Sequence, residues 1–330
     1  MRGTAFALCA LGLLAGTSAT HGQDTAGRPE LGLPAKCVLG ETCFVQQYVD
    51  FDPEPGWHDY MCQGLSYDGH KGTDFSLMSQ RAMQEGVAVI ASAPGTVRAI
   101  RNNMPDRMYT DDMAEEMKGR ACGNGVAIAH ANGWETQYCH MRQGSVSVRA
   151  GQTVARGTPL GLIGLSGRTQ FPHVHLTVRK DGQHVDPFDP DGEIICGSPS
   201  QDTLWIDPPH YQPGGILSVG FSDSVPKFDD IRQGTAAMST LARNAGALVA
   251  WGYGFGGRPD DVMRITITAP DGSQVYQNDS KLEKTHAQYF RAAGRRARTG
   301  DWAAGTYTAQ VDLLRDGKVI DRRSATLNAD

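Results

Sequence analysis

Residues 169–190 read TQFPHVHLTVRKDGQHVDPFDP. The apolar run through Val174, Leu176 and Val178, followed by the Asp-Gly pair at 181–182, reads as a strand, a tight turn and a return strand. Side chains two apart on a strand share a face, so His173 and His175 are aimed at one spot. That spot is either a metal site or a wet sheet face, and the stretch alone leaves both open.

The surrounding sequence has the same texture. Segments 87–100 (VAVIASAPGTVRAI), 125–141 (GVAIAHANGWETQYCHM) and 144–164 (GSVSVRAGQTVARGTPLGLIG) are short β-branched runs broken by Gly, Asn-Gly or Pro. With 40 Gly and 17 Pro among 330 residues, this predicts a mainly β fold, an antiparallel β-sheet built from hairpins, over residues 66–195. The Met-rich polar segment 101–120 interrupts the series and is expected to carry one short helix lying over the sheet. Residues 24–65 form a cysteine-containing N-terminal arm. Residues 196–213, rich in Pro, Gly and Ser, are expected to be a linker. Beyond it, RITITAPDGSQVYQ (264–277) and the strand-turn-strand run 305–327 predict a second domain of β-sandwich (Ig-like) type over 214–330.

The chain starts MRGTAFALCALGLLAGTSATHGQDT. One basic residue, an apolar stretch of about a dozen residues and small residues after it make a secretory signal over 1–23, too short for the ~20 residues that cross a bilayer. The expectation is an exported protein, periplasmic or, as the alternative, secreted, with no membrane insertion. Loss of the signal removes Cys9 and leaves Cys37, Cys43, Cys62, Cys122, Cys139 and Cys196, an even set in an oxidising compartment. The local pairings Cys37–Cys43 and Cys122–Cys139 leave Cys62 with Cys196. A net charge of −5 argues against a nucleic-acid partner, because phosphate binding needs a basic surface.

Chemistry gathers in the first domain. GHKGTDF (69–75) sets His70 and Asp74 four apart, which on an extended segment returns both to one face, and TQYCHM (136–141) sets His140 at the end of a strand. His, Asp and His are the ligand types of a catalytic zinc site with one position left for water. No HExxH motif supplies a glutamate base, so His140 and His173 are the available proton-moving pair. His58, His130, His184 and His286 lack such company and read as structural or turn residues.

The order of these pieces is decisive. Residues 69–187, carrying HKGTD, then GNGVAIAHANGWETQYCHM, then VRAGQTVARGTPLGLIGLSGRTQFPHVHLTVRKDGQHVDP, resemble the lysostaphin-type, or LytM-type, zinc endopeptidases of bacterial cell walls. That resemblance implies zinc (Zn2+) held by His70, Asp74 and His175. It also implies catalytic roles for His140 and His173, which line the site without being permanent ligands. The implied reaction is metallo-endopeptidase cleavage of peptidoglycan cross-link peptides. The turn before HVH departs from the family's commoner Thr-Gly form, and segment 101–120 is extra. A rival reading is a catalytically silent regulator of the same fold that binds and activates other cell-wall hydrolases. It is disfavoured because all five positions are kept. A biotinyl- or lipoyl-carrier reading fails for want of a lysine at a hairpin tip. Nothing in 214–330 names a ligand; a cell-wall or protein partner is the expectation there.

Overall fold

A computed structural model describes residues 27–193, 195–196, 202–297 and 302–330. The expected signal, Cys9 with it, lies outside the described residues, as does the 197–201 part of the expected linker.

The N-terminal half is laid out in chain order as β1 (Cys43–Gln47), β2 (Thr73–Leu77), α1 (Gln80–Glu85), β3 (Ala88–Ile90), β4 (Gly95–Arg101), α2 (Ala114–Met117), β5 (Asn124–Ala129), β6 (Trp134–Met141), β7 (Thr153–Val154), β8 (Pro159–Leu162), β9 (His173–Lys180) and β10 (Gln183–Val185). The main sheet runs β1-β2-β9-β6-β5-β4-β7 with β10 on β9, every pairing antiparallel. Period-two patterning explains why these residues choose strands: Val174, Leu176 and Val178 are at most 1% exposed on the core face of β9, while His173, His175, Thr177 and Arg179 line a cleft on the other. Beside the three apolar residues, on the same face of the sheet, are Tyr138 of β6 and Val126 and Ile128 of β5.

The arm does more than hang from a disulfide. Its β1 pairs with β2 and so becomes the edge strand of the main sheet. The 101–120 segment carries the one-turn α2, and Met104, Tyr109, Met113 and Met117 close into a small buried cluster of their own. That cluster accounts for the methionine richness of an otherwise polar stretch.

The C-terminal half comprises β11 (Gly215–Ser222), α3 (Phe228–Gln233), β12 (Thr240–Leu241), β13 (Ala247–Gly257), β14 (Val262–Thr268), β15 (Gln274–Lys281), β16 (His286–Arg296), β17 (Gly305–Arg315) and β18 (Lys318–Ala329). Sheets β11-β13-β16 and β12-β18-β17-β14-β15 share one apolar core, with Ile216 and Leu248 of the first meeting Ile265, Val311 and Leu313 of the second. This is the second β unit expected from the sequence, a two-sheet sandwich.

The smaller sheet is buried on both faces. Its other side, through Leu217, Trp251, Tyr253 and Phe255, belongs to the same core as Phe44 and Tyr48 of the N-terminal half, with Phe44 and Phe255 ring centroids 5.9 Å apart. Polar contacts seal the rim: Gln288 Nε2 donates to Gln46 Oε1 at 2.9 Å and Arg258 to Gln63 Oε1 at 2.6 Å. Leu204 and Trp205, from the expected linker, are buried in that core, and Leu31 exchanges backbone hydrogen bonds with Leu204 and Ile206.

The disulfides are Cys37–Cys43, Cys62–Cys196 and Cys122–Cys139, the set expected from the sequence. Cys62–Cys196 spans 134 residues and ties the arm to the first residue of the expected linker, so it removes the most unfolded-chain entropy. The double change Cys62→Ser with Cys196→Ser should cost about 2–5 kcal/mol in urea unfolding of the full chain. A loss well under 1 kcal/mol would mean that packing of the arm alone holds this closure.

Candidate metal centre

Strand register brings the first two ligand types together. In the β2–β9 pair Asp74 lies directly opposite His175, and Ser76 opposite His173. Phe75 and Val174, between them, point into the core. His70 precedes β2 and reaches the same place through the Gly69 turn, whose φ of +72° suits glycine. Gly72 is required for a different reason: a Cβ there would sit 2.5 Å from His175 Nε2 and 2.6 Å from the Leu176 carbonyl.

His140 arrives by an irregular route. Gln137 and Cys139 of β6 line the cleft, so strict alternation would turn the next side chain toward the core. Instead His140 adopts φ +60°, donates its backbone N–H to the Cys122 carbonyl at 2.8 Å, and places its ring in the cleft. Tyr138 is the residue on the core face, its hydroxyl accepting from the Ser92 N–H at 2.7 Å. The Cys122–Cys139 bridge lies immediately beside this kink.

The converging atoms are His70 Nε2, Asp74 Oδ1 and His175 Nδ1. Their separations are 3.2 Å (His70 to Asp74), 3.1 Å (His70 to His175) and 2.7 Å (His175 to Asp74). Ligand atoms about 2.0–2.1 Å from a tetrahedral zinc lie roughly 3.3 Å from one another, so the spacing is that of three corners drawn slightly inward. Protonation makes the same point. His70 Nδ1 donates to the Tyr48 carbonyl at 2.6 Å, which in the neutral ring leaves a lone pair on Nε2 facing a carboxylate oxygen. A lone pair, a carboxylate and a third nitrogen crowd together without mutual repulsion only around a cation or a proton. The His/Asp/His donor set fits zinc.

His140 and His173 share one feature. His140 Nδ1 donates to the Ser166 carbonyl at 2.8 Å, and His173 Nδ1 to the Phe171 carbonyl at 2.9 Å with Thr169 Oγ1 at 3.2 Å. Both neutral rings therefore carry their hydrogen on Nδ1 and a lone pair on Nε2. His173 Nε2 is 3.3 Å from Asp74 Oδ1, and the two ring centroids are 4.6 Å apart.

Charge balance follows burial. Desolvation alone would push the Asp74 carboxyl up, but His173 and His70 beside it hold it well below the usual range. Burial, then the neighbouring His173 and His175, depress His140 well below 6.5, and burial lowers His175 too, against the pull of Asp74. At His70 burial opposes the charged form, yet Asp74 outweighs it and raises the pKa above 6.5.

The cleft has a volume of 640 Å³ and is walled by Tyr67, which stacks on His70 at 4.4 Å, by Phe171, which stacks on His173 at 4.5 Å, and by Arg168, whose guanidinium lies 5.3 Å from the Tyr109 ring centroid. All five residues singled out from the sequence meet here. His184, read as a turn residue, also reaches the lining. His130 lies away from it, bound to the Pro94 carbonyl and Thr136 Oγ1. What sequence reasoning missed are the carbonyls of Tyr48, Ser166 and Phe171 that orient the rings, because a backbone acceptor has no residue signature.

Residues 68–187 match the model of Peptidase family M23, the family of the LytM-type resemblance. Among curated proteins the chain is 34% identical over 120 residues to the DD-carboxypeptidase/endopeptidase Mpg of Neisseria meningitidis serogroup B, covering 36% of this chain and 22% of Mpg. It is 33% identical over 117 residues to the peptidoglycan DD-endopeptidase ShyA of Vibrio cholerae, covering 36% and 22%. Among solved structures, the catalytic domain of a mutant of the prophage-encoded M23 protein EnpA from Enterococcus faecalis aligns at 24% identity and a TM-score of 0.31, covering 49% of this chain and 95% of that one. The chain thus spans under a quarter of the length of these curated relatives.

Two outcomes test the centre. His175→Ala and Gly72→Ala should each abolish zinc retention, the first by deleting a donor and the second by displacing it, whereas His140→Ala and His173→Ala should retain it; zinc per chain is read by elemental analysis after dialysis. Asp74 raises the His70 pKa above its ordinary value, so a proton competes for Nε2 more strongly than at a free imidazole and zinc affinity should weaken as pH falls through the histidine range. Zinc titrations at stepped pH measure it, and the slope of affinity against pH should flatten in His70→Ala; the same slope in both proteins would remove His70 from the ligand set.

Proposed function

We propose that the protein is an exported zinc metallo-endopeptidase that cleaves peptide cross-links of peptidoglycan next to a D-amino acid. The observation that carries this reading is the convergence of two sets in one cleft: three donors at mutual distances of 2.7–3.2 Å, and two imidazoles whose Nε2 lone pairs are free of protein hydrogens. The DD-endopeptidase names of Mpg and ShyA support the substrate class. Three disulfides support an oxidising compartment such as the periplasm.

His70, Asp74 and His175 would hold the zinc, which when bound supplies Lewis-acid polarisation of a carbonyl and lowers the pKa of a water to about 7. The chain's own residues handle the protons. As a water oxygen bonds to the scissile carbonyl carbon, Nε2 of His140 or His173 accepts its proton; as the carbon–nitrogen bond breaks, that proton passes to the leaving amine. The depressed pKa of His140 keeps its ring a neutral acceptor through the neutral range. The second imidazole, when protonated, donates toward the developing oxyanion. Arg168 sets a cation on the cleft wall, complementary to the carboxylates of a peptidoglycan stem peptide. A silent regulator would have no need of two imidazoles beside the donor trio whose Nδ1 atoms are both tied to backbone carbonyls, which favours the enzyme.

The test is digestion of purified peptidoglycan by the full chain, with mass analysis of muropeptides. Cross-linked dimers should fall and monomers rise, the change should stop with a chelator, and added zinc should restore it. His140→Ala and His173→Ala, both zinc-loaded, should lose about 10²–10⁴ in rate. Dimer cleavage that persists undiminished in excess chelator, or is absent from the zinc-loaded protein, would reject this function.

A further inference from the structure

The carbonyls that orient His140 and His173 belong to one loop, residues 166–172, through Ser166 and Phe171. Near its middle, Arg232 of α3 donates from Nη2 to the Gln170 carbonyl at 2.8 Å, and the same nitrogen lies against Met108 Sδ of the 101–120 segment. Arg232 therefore touches both the loop that holds the two imidazoles and the insertion that walls the cleft. It comes from the C-terminal half, outside the stretch that matches the family model.

We propose that Arg232 is a positioning residue, a strut through which the C-terminal sandwich fixes the loop that sets the tautomer and orientation of His140 and His173. The inference rests on the function proposed above, and gives residues 214–330 a part in it.

The strut is seated at its base. Ile231 next to it is 1% exposed in the core shared by the two halves. The helix stops at Gly234, whose φ of +81° lets its N–H close on the Asp230 and Ile231 carbonyls. That glycine lies so close to the start of α1 that a Cβ would meet Ser79 Oγ at 2.7 Å. The guanidinium is held over the Phe228 ring at 5.7 Å from its centroid and 3.7 Å from Asp229 Oδ1, and Phe228 stacks on Phe290 at 5.4 Å. An arginine on a short helix anchored by one buried isoleucine, with a ring against it and a carboxylate beside it, has few ways to move. Elsewhere the loop is tethered by the Tyr109 N–H to the Thr169 carbonyl at 2.8 Å, the Arg168 N–H to the Ala121 carbonyl at 2.8 Å, Ser166 Oγ to the Met141 carbonyl at 2.7 Å and the Leu77 N–H to the Pro172 carbonyl at 2.9 Å. Removing Arg232 takes away the tether at Gln170, next to the Phe171 carbonyl that orients His173.

The experiment compares the full chain with Arg232→Ala and Arg232→Lys, and with Arg264→Ala, which breaks an exposed pair with Asp279, as control. Arg232→Gln is added in case the alanine variant folds poorly. Zinc per chain should be unchanged in all, since no donor is touched. In the zinc-loaded protein Arg232→Ala should lower kcat for dimer cleavage about 10–100-fold with KM little changed, the size of effect seen when a group orienting a site residue is lost. Arg232→Lys, keeping one charged donor, should recover part of it. Hydrogen exchange read by mass spectrometry should rise in peptides covering 166–175 in Arg232→Ala and not in Arg264→Ala. A purely structural arginine would lower the melting temperature while leaving kcat per zinc-loaded chain and exchange in 166–175 at wild-type values, and that result overturns the proposal. If the zinc-loaded wild type cleaves no cross-link, the proposed function falls, and exchange decides alone: faster in 166–175 sustains the strut, unchanged exchange ends it.

Discussion

A single buried carboxylate organises this molecule. Asp74 is 3% exposed, and an ionised group so far from water is tolerated only when surrounded by compensating charge or donors. Its Oδ1 is met by His70, His173 and His175, and each arrives by a different structural device. His175 comes by register, opposite Asp74 in the ladder; His173 by periodicity, two residues earlier on the same face; His70 by a glycine turn. A one-residue slip of β9 against β2 would turn both β9 histidines into the core and bring Val174 and Leu176 to the carboxylate. The apolar face that enforces the register therefore also enforces the polar site.

That arrangement explains what could be read from the sequence. His70, Asp74, His173 and His175 obey local rules of spacing, so their pattern survives in one dimension. The pairing of cysteines was legible for a related reason: two of the three bridges are local, and the third was what remained. His140 was legible as a residue but not as a conformation, because nothing in TQYCHM says that the chain leaves β geometry there. The ring-orienting carbonyls of Tyr48, Ser166 and Phe171 were invisible, being backbone atoms brought near by long-range folding. The arm's β1 as an edge strand, and Leu204 and Trp205 as core residues, were missed because a Pro- and Gly-rich composition describes local turns and not what the turns pack against.

The two halves are also less separate than composition suggests. Proline and glycine between 196 and 215 mark a change of element, yet the small sheet of the C-terminal half is apolar on both faces, one for its own sandwich and one for the N-terminal half. Such a sheet has no stable solvent-facing side. Geometry at the cleft is thus supported from three directions: the arm beneath His70, the insertion against the loop that precedes HVH, and α3 behind that same loop.

The left-handed backbone at His140 has a consequence for selection in the laboratory. A β-carbon at φ +60° costs of order 1–2 kcal/mol relative to glycine, which alone takes that conformation freely. A library selected only for thermal stability would accordingly drift toward glycine at position 140, relaxing the backbone and deleting an imidazole in the same step. At this position backbone comfort and retention of the cleft imidazole pull in opposite directions.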